Sequence, residues 1–175
     1  MAAKARGNET VGDAVRSLVV VIGLVAAVVI AFTVMKPDAR LPDPVDYTDV
    51  LGFVRDEYAY EPAAPTPSPE GWRATSVEHS DNPSGDRWRL GFLTPDEGFV
   101  GLEQSDGEIQ SFLDDQLTGF TDDGEVDVDG STWQRMVEDD RSPDRALVLV
   151  EDGVATIVRG TEPYEVLEEF AASLG

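Results

Sequence analysis

The chain contains no cysteine, one histidine and few bases: 13 Lys and Arg face 35 Asp and Glu in 175 residues, a formal net charge of -22. The lack of cysteine excludes disulfides, thiolate metal sites, thiol nucleophiles and a lipid-modified N-terminal cysteine. With His79 as the single histidine, the common multi-histidine zinc sites cannot be built. So acidic a chain repels phosphate backbones, and nucleic acid is not an expected partner. No G-x-S-x-G elbow, Walker pattern or G-x-G-x-x-G loop occurs, so neither a hydrolase nucleophile nor a nucleotide cradle is indicated, and no cofactor is expected.

One long apolar run is present. Leu18 to Met35 reads LVVVIGLVAAVVIAFTVM, without a charge. As a helix rising ~1.5 Å per residue it spans about 27 Å, close to the hydrocarbon thickness of a bilayer. It has no polar face, as a soluble amphipathic helix would. We read residues 18–35 as a single transmembrane helix. Lys4, Arg6 and Arg16 precede it and Lys36 and Arg40 follow, which with the short N-terminal tail favours a cytoplasmic tail at 1–17 and an exported remainder. The rival, a cleaved signal peptide, is disfavoured by the length of the run and by the lack of a good small-x-small site after it. Gly23, Ala27 and Ala31 recur at every fourth position, a stripe that lets two such helices approach, although Gly and Ala are common in membrane helices anyway. Residues 36–175 hold 10 bases and 33 acids, and so anionic a module is pushed away from an anionic membrane surface.

Seven of the 11 prolines lie between residues 36 and 70. Proline stops helices and central strands, so this segment reads as an extended stalk. Within it, Tyr47, Val50, Leu51 and Val54 have helical spacing. The spacing predicts a short amphipathic helix over 46–58, capped by Asp46, that packs on the following domain.

From Gly71 the period changes to two. WRATSVEHS reads as a strand, DNPSGD as a turn, and RWRLGFL and FVGLEQS as a hairpin around TPDEG. Ile109, Phe112, Leu113 and Leu117 share one helical face, predicting a helix from Glu108 to Gly119. TDDG at 121–124 reads as a turn. EVDVD and STWQRMVE form a hairpin around Gly130, and ALVLV and VATIV another around Glu151-Asp152-Gly153. Tyr164, Leu167, Phe170, Ala171 and Leu174 mark a C-terminal helix over 161–174. The expected fold is α+β: one N-terminal transmembrane helix, then at 71–175 an antiparallel sheet of about seven strands, in three hairpins, covered by two to three helices. ALVLV and VATIV are almost wholly apolar and belong at the sheet centre, buried on both faces.

Several blocks carry a family resemblance: GWRATSV at 71–77, RLGFLTP at 89–95, FVGLEQS at 99–105, Gly130-x-x-Trp133, RALVL at 145–149 and GTEPYEVLEEFAASL at 160–174. Together with the arginine-flanked apolar helix they resemble the actinobacterial family catalogued as domain of unknown function 4245. That resemblance implies a membrane-tethered envelope protein with no agreed activity, and it transfers no catalytic residue. The order of strands and helices is also similar to PsbP-like sandwiches, mostly binding or assembly modules, on layout alone.

The acids are the main source of candidate chemistry. A carboxylate-pair hydrolase needs two acids facing one another; Glu97, Glu103 and Glu108 lie near the first hairpin. Trp72, Trp88 and Trp133 sit in apolar stretches and read as core rather than as sugar platforms. His79 reads as a partly exposed residue at a strand end. Calcium is the sharpest metal candidate, with Asp122, Asp123, Glu125, Asp127 and Asp129 as hard oxygen donors. An EF-hand register starting at Glu125 puts Met136 where a bidentate Glu is needed, so that motif fails, and Val126 and Val128 alternate with the acids as in an ordinary half-exposed strand. The expectation is a single-pass protein of the cytoplasmic membrane whose acidic extracytoplasmic domain binds or assembles with an envelope protein or a small ligand. A concave apolar groove between sheet and helix favours a small ligand or lipid; a flat apolar patch favours a protein.

Overall fold

The computed structural model describes residues 43–82 and 85–175. The tail expected at 1–17, the membrane helix at 18–35 and the small-residue stripe lie outside them. Among the described residues no helix is long and apolar enough to cross a membrane.

Three helices and seven strands follow one another as α1 (Thr48–Glu57), β1 (Arg73–Ser80), β2 (Arg87–Leu93), β3 (Phe99–Ser105), α2 (Ile109–Gln116), β4 (Phe120–Val128), β5 (Ser131–Glu138), β6 (Arg145–Glu151), β7 (Val154–Gly160) and α3 (Tyr164–Ala172). The strands form one sheet in the order β1-β2-β3-β7-β6-β5-β4, with every neighbouring pair antiparallel. β1, β2 and β3 follow one another as antiparallel neighbours. The chain then crosses through α2 to the far edge and returns by hairpins until β7 pairs with β3. The α+β class and the antiparallel sheet agree with the sequence pattern. VATIV supplies β7, the central strand, and Ala155, Ile157 and Val158 in it are fully buried.

Alternation of side chains gives the sheet two apolar faces. The front face carries Leu90, Phe92, Val100, Leu102, Trp133, Leu147 and Val158, against which Leu51 and Val54 of α1 and Leu167, Phe170 and Ala171 of α3 pack. On the back face Ala146, Val148, Ala155 and Ile157 meet Phe112 of α2. Trp72 stacks on Phe170 at 5.3 Å, and Phe92 meets Phe170 edge-on at 5.2 Å.

Local chemistry explains where the structure departs from expectation. TDDG is not a turn: β4 starts at Phe120 and pairs Phe120, Thr121 and Asp122 with Glu138, Val137 and Met136. A register shift between Asp122 and Glu125 absorbs the extra residues, and Gly124, at φ +95°, takes the backbone conformation that such a bulge requires. The segment over 62–70 is not a free extended connector: it bends at Thr66 and Pro67 and is held against the domain. Pro62 and Ala64 are fully buried, the Trp88 indole donates to the Ala63 carbonyl at 2.8 Å, and Pro65 bridges to Leu174. The helix of this segment spans Thr48–Glu57, and the Asp46 carboxylate accepts from the Thr48 amide at 2.9 Å. That amide holds the Asp46 carboxyl below its ordinary range. Pro163 sets the start of α3, three residues later than the periodicity alone suggests.

Candidate functional site

Both of the later hairpins turn on an Asp-Gly pair. Asp129 and Gly130 have φ of +49° and +87°, and Asp152 and Gly153 have +50° and +82°. Two successive positive φ values define the two-residue turn whose twist matches the flanking strands, and Asp-Gly is its preferred sequence. Because β4 and β6 run in the same direction, the two turns lie side by side at one end of the sheet. The β5–β6 ladder pairs Gln134 with Val148 and goes no further toward that end.

Here a cleft of about 480 Å³ opens on the front face. Val128, Trp133, Leu149 and Thr156 of the sheet line it, with Ala171, Ala172 and Leu174 at the end of α3 and Ala59 to Ala63 after α1. Trp133 is buried, and the nearby walls are braced by polar contacts. The Gln104 side chain accepts from the Ala63 amide at 2.7 Å and donates to the Thr156 hydroxyl at 3.0 Å. Since Gln104 is itself buried, this pair of bonds ties the chain at 63 to β3 and β7. The Tyr60 hydroxyl, in the same wall segment, is buried without a hydrogen-bond partner. Burial drives its pKa upward, with further contributions from Tyr58, Asp106 and Asp86. Glu61, Asp129, Glu151 and Asp152 are exposed at the cleft, and its lining includes no Lys, Arg or His.

A second, smaller cavity of about 190 Å³ borders Glu78, His79, Arg89, Glu103 and Phe112. Glu103 is buried on the back face between two arginines, with Arg89 at 2.8 Å on one oxygen and Arg159 at 3.1 Å on the other. Arg89 also meets Glu78 at 3.6 Å. Burial pulls the Arg89 guanidinium down, but Glu103 and Glu78 outweigh it, and its pKa lies above its ordinary value. Two carboxylates of this cavity therefore converge on one guanidinium rather than on an open space. Glu97 and Glu108, grouped with Glu103 by sequence, are exposed beyond opposite ends of β3.

The structure brings together few of the other candidates. His79 is exposed at the end of β1, its ring 5.9 Å from Phe53. Trp72 is half-buried, Trp88 is fully buried, and Trp133 serves both core and cleft. Asp122, Asp123, Glu125 and Asp127 are strung along β4, and Asp129 stands in the turn beyond it. Asp122 accepts from the Gly124 amide and Asp127 from the Gly130 amide, so both serve local backbone geometry. Among the described residues no group of three or more His, Asp or Glu side chains is placed to hold a metal ion. Sequence reasoning missed the cleft; the two Asp-Gly pairs signal their own hairpins, and only the sheet order brings those turns to one end.

The described residues thus form an α+β module with a cleft of mixed apolar and acidic lining between the sheet, the end of α3 and the segment after α1. A family model described as a protein of unknown function (DUF4245) matches residues 6–174, and the chain belongs to that family. No curated protein and no solved structure matches it.

Proposed function

We propose that the protein is a non-enzymatic binding module, tethered to the cytoplasmic membrane by residues 18–35, that presents the front-face cleft outside the membrane to a small ligand of the cell envelope. The single observation that carries this reading is the cleft. It is concave, apolar at its base and within the ~300–1,000 Å³ usual for small-molecule sites, whereas a protein-docking role favours a flat apolar patch. On the back face, Glu78 and Glu103 converge on Arg89, which takes that pair of acids away from a two-carboxylate hydrolase. The tether rests on the uncharged run from Leu18 to Met35, and the orientation on the basic tail before it.

Two measurements test the reading. Membrane fractionation with protease treatment of intact cells should recover the chain in the membrane, with the acidic domain cleaved from outside; recovery of the intact chain in the cytosol contradicts the tether. A photoreactive residue at Ala172, exposed at the cleft, should give a small-molecule adduct in native membranes. The same probe at Thr132, exposed on β5, should not. Equal labelling from both positions contradicts a cleft-centred function.

A further inference from the structure

We infer that the ligand of this cleft is a small cationic amphiphile, a molecule with an apolar body and an amine or other cationic head; this rests on the reading of the cleft as the binding site. The base supplies the apolar half. Trp133, Leu149, Val154, Ala171 and Leu174 present ring and aliphatic surface, and burial of an apolar body there is favourable at roughly 25 cal/mol per Å². The rim supplies the charge. Its charged residues are Glu61, Asp129, Glu151 and Asp152, all acids. Glu61 is partly offset by Arg55 at 3.7 Å. Among the described residues no ion pair engages Asp129, Glu151 or Asp152.

Asp129 and Asp152 owe their positions to backbone chemistry. Each occupies the first left-handed position of its hairpin turn, so the residue type that makes the turn also sets a carboxylate at the mouth. A cation seated head-outward meets these acids at the boundary between apolar floor and water, where attraction is screened less than in bulk solvent. An anionic amphiphile, such as a fatty acid or a phospholipid headgroup, meets the same acids and is repelled. The rim therefore selects by charge sign while the base selects by apolar shape, a division that gives specificity through disfavoured competitors as well as favoured contacts.

The test uses the full-length chain in nanodiscs of zwitterionic lipid, with empty nanodiscs correcting for partition. Three probes share one body and differ in the head: phenylbutylamine, phenylbutanol and phenylbutyrate. Tryptophan fluorescence reports binding through Trp133. The amine should bind tightest and the carboxylate weakest, about tenfold apart, as a few half-screened charge pairs allow. In the Asp129→Asn/Asp152→Asn double variant this gap should shrink to under about threefold, while phenylbutanol binding is unchanged. Asn tolerates the left-handed backbone, so both turns survive. Equal affinity for the three probes, or a gap that persists in the double variant, overturns the cationic preference and leaves the cleft as a binding site. No binding of any probe, or titrations unchanged by Ala172→Phe at the cleft mouth, overturns the cleft as well.

Discussion

The Thr94 hydroxyl donates to the Glu162 carboxylate at 2.6 Å, joining residues 68 positions apart. Thr94 also accepts from the Gly98 amide at 3.0 Å, and the Thr161 hydroxyl accepts from the Phe99 amide at 3.0 Å. The turn after β2 and the entry to α3 are thus stapled together. A hydrogen bond to a charged group contributes about 1.5–3 kcal/mol when buried, and less here because Glu162 is only half-buried. Thr94→Val should lower stability by about 1 kcal/mol. A Cβ at Gly98 would overlap Glu162 Oε1 and must displace it. Gly98→Ala and Thr94→Val should therefore be clearly less than additive in denaturant unfolding, since both remove the same bond.

Glu103 between Arg89 and Arg159 is the sharpest electrostatic test. Removing one partner of a buried pair leaves uncompensated charge. Both arginines are about a third exposed or more and can recruit water, so Glu103→Ala should cost about 2 kcal/mol rather than the largest values known for dry pairs. Unfolding in denaturant measures it; a loss within about 0.5 kcal/mol of zero contradicts a structural role for the cluster.

Tyr60 predicts the opposite sign. Its buried hydroxyl lacks a partner, and an unsatisfied buried donor costs about 1–3 kcal/mol. Tyr60→Phe should leave the melting temperature unchanged or raise it, and a clear fall would show that the hydroxyl is satisfied in solution.

Alkali should unfold the domain through its tyrosines. Burial first, and then Asp81 and Asp86, push the Tyr58 phenol up to about 12; burial and then Asp123 do the same for Tyr164, also to about 12. The unfolded value is near 10. Below that pH both states hold the proton and stability is intact. Between 10 and 12 only the folded state retains it, so stability falls as pH rises through this window. Tyrosinate absorbance and loss of secondary structure should rise together. Tyrosine ionisation complete before unfolding begins contradicts the burial.

Calcium should do little. The carboxylates of Asp122, Asp123, Glu125, Asp127 and Asp129 follow an extended strand and its turn instead of surrounding a point. Millimolar calcium against chelator should leave the melting temperature unchanged, whereas a rise of several degrees would reveal a site formed on binding.

Much of the fold was legible because it is written locally. Asp152-Gly153 announces its hairpin and VATIV declares a buried strand, whereas the helix ends were misplaced: α2 stops at Gln116, short of Gly119, and α3 starts only after Pro163. The bulge at Gly124 was not legible, because glycine beside two aspartates also spells a turn, and only cross-strand pairing with Val137 and Met136 decides between them. The cleft was less legible still. Tyr60, Gln104, Trp133, Thr156 and Ala171 converge only once β7 inserts between β3 and β6, a long-range pairing that no local pattern encodes. Trp133 read correctly as core, but its second role at the cleft floor depends on that sheet order.

The most direct test of the central claim is to map where small apolar fragments bind on the full-length chain by chemical-shift perturbation. The account predicts shifts that converge on the Trp133 indole, the Leu149 and Ala171 methyls and Thr156. Shifts that gather instead around Phe112 and Ile157 on the back face, or scatter without a focus, would contradict it.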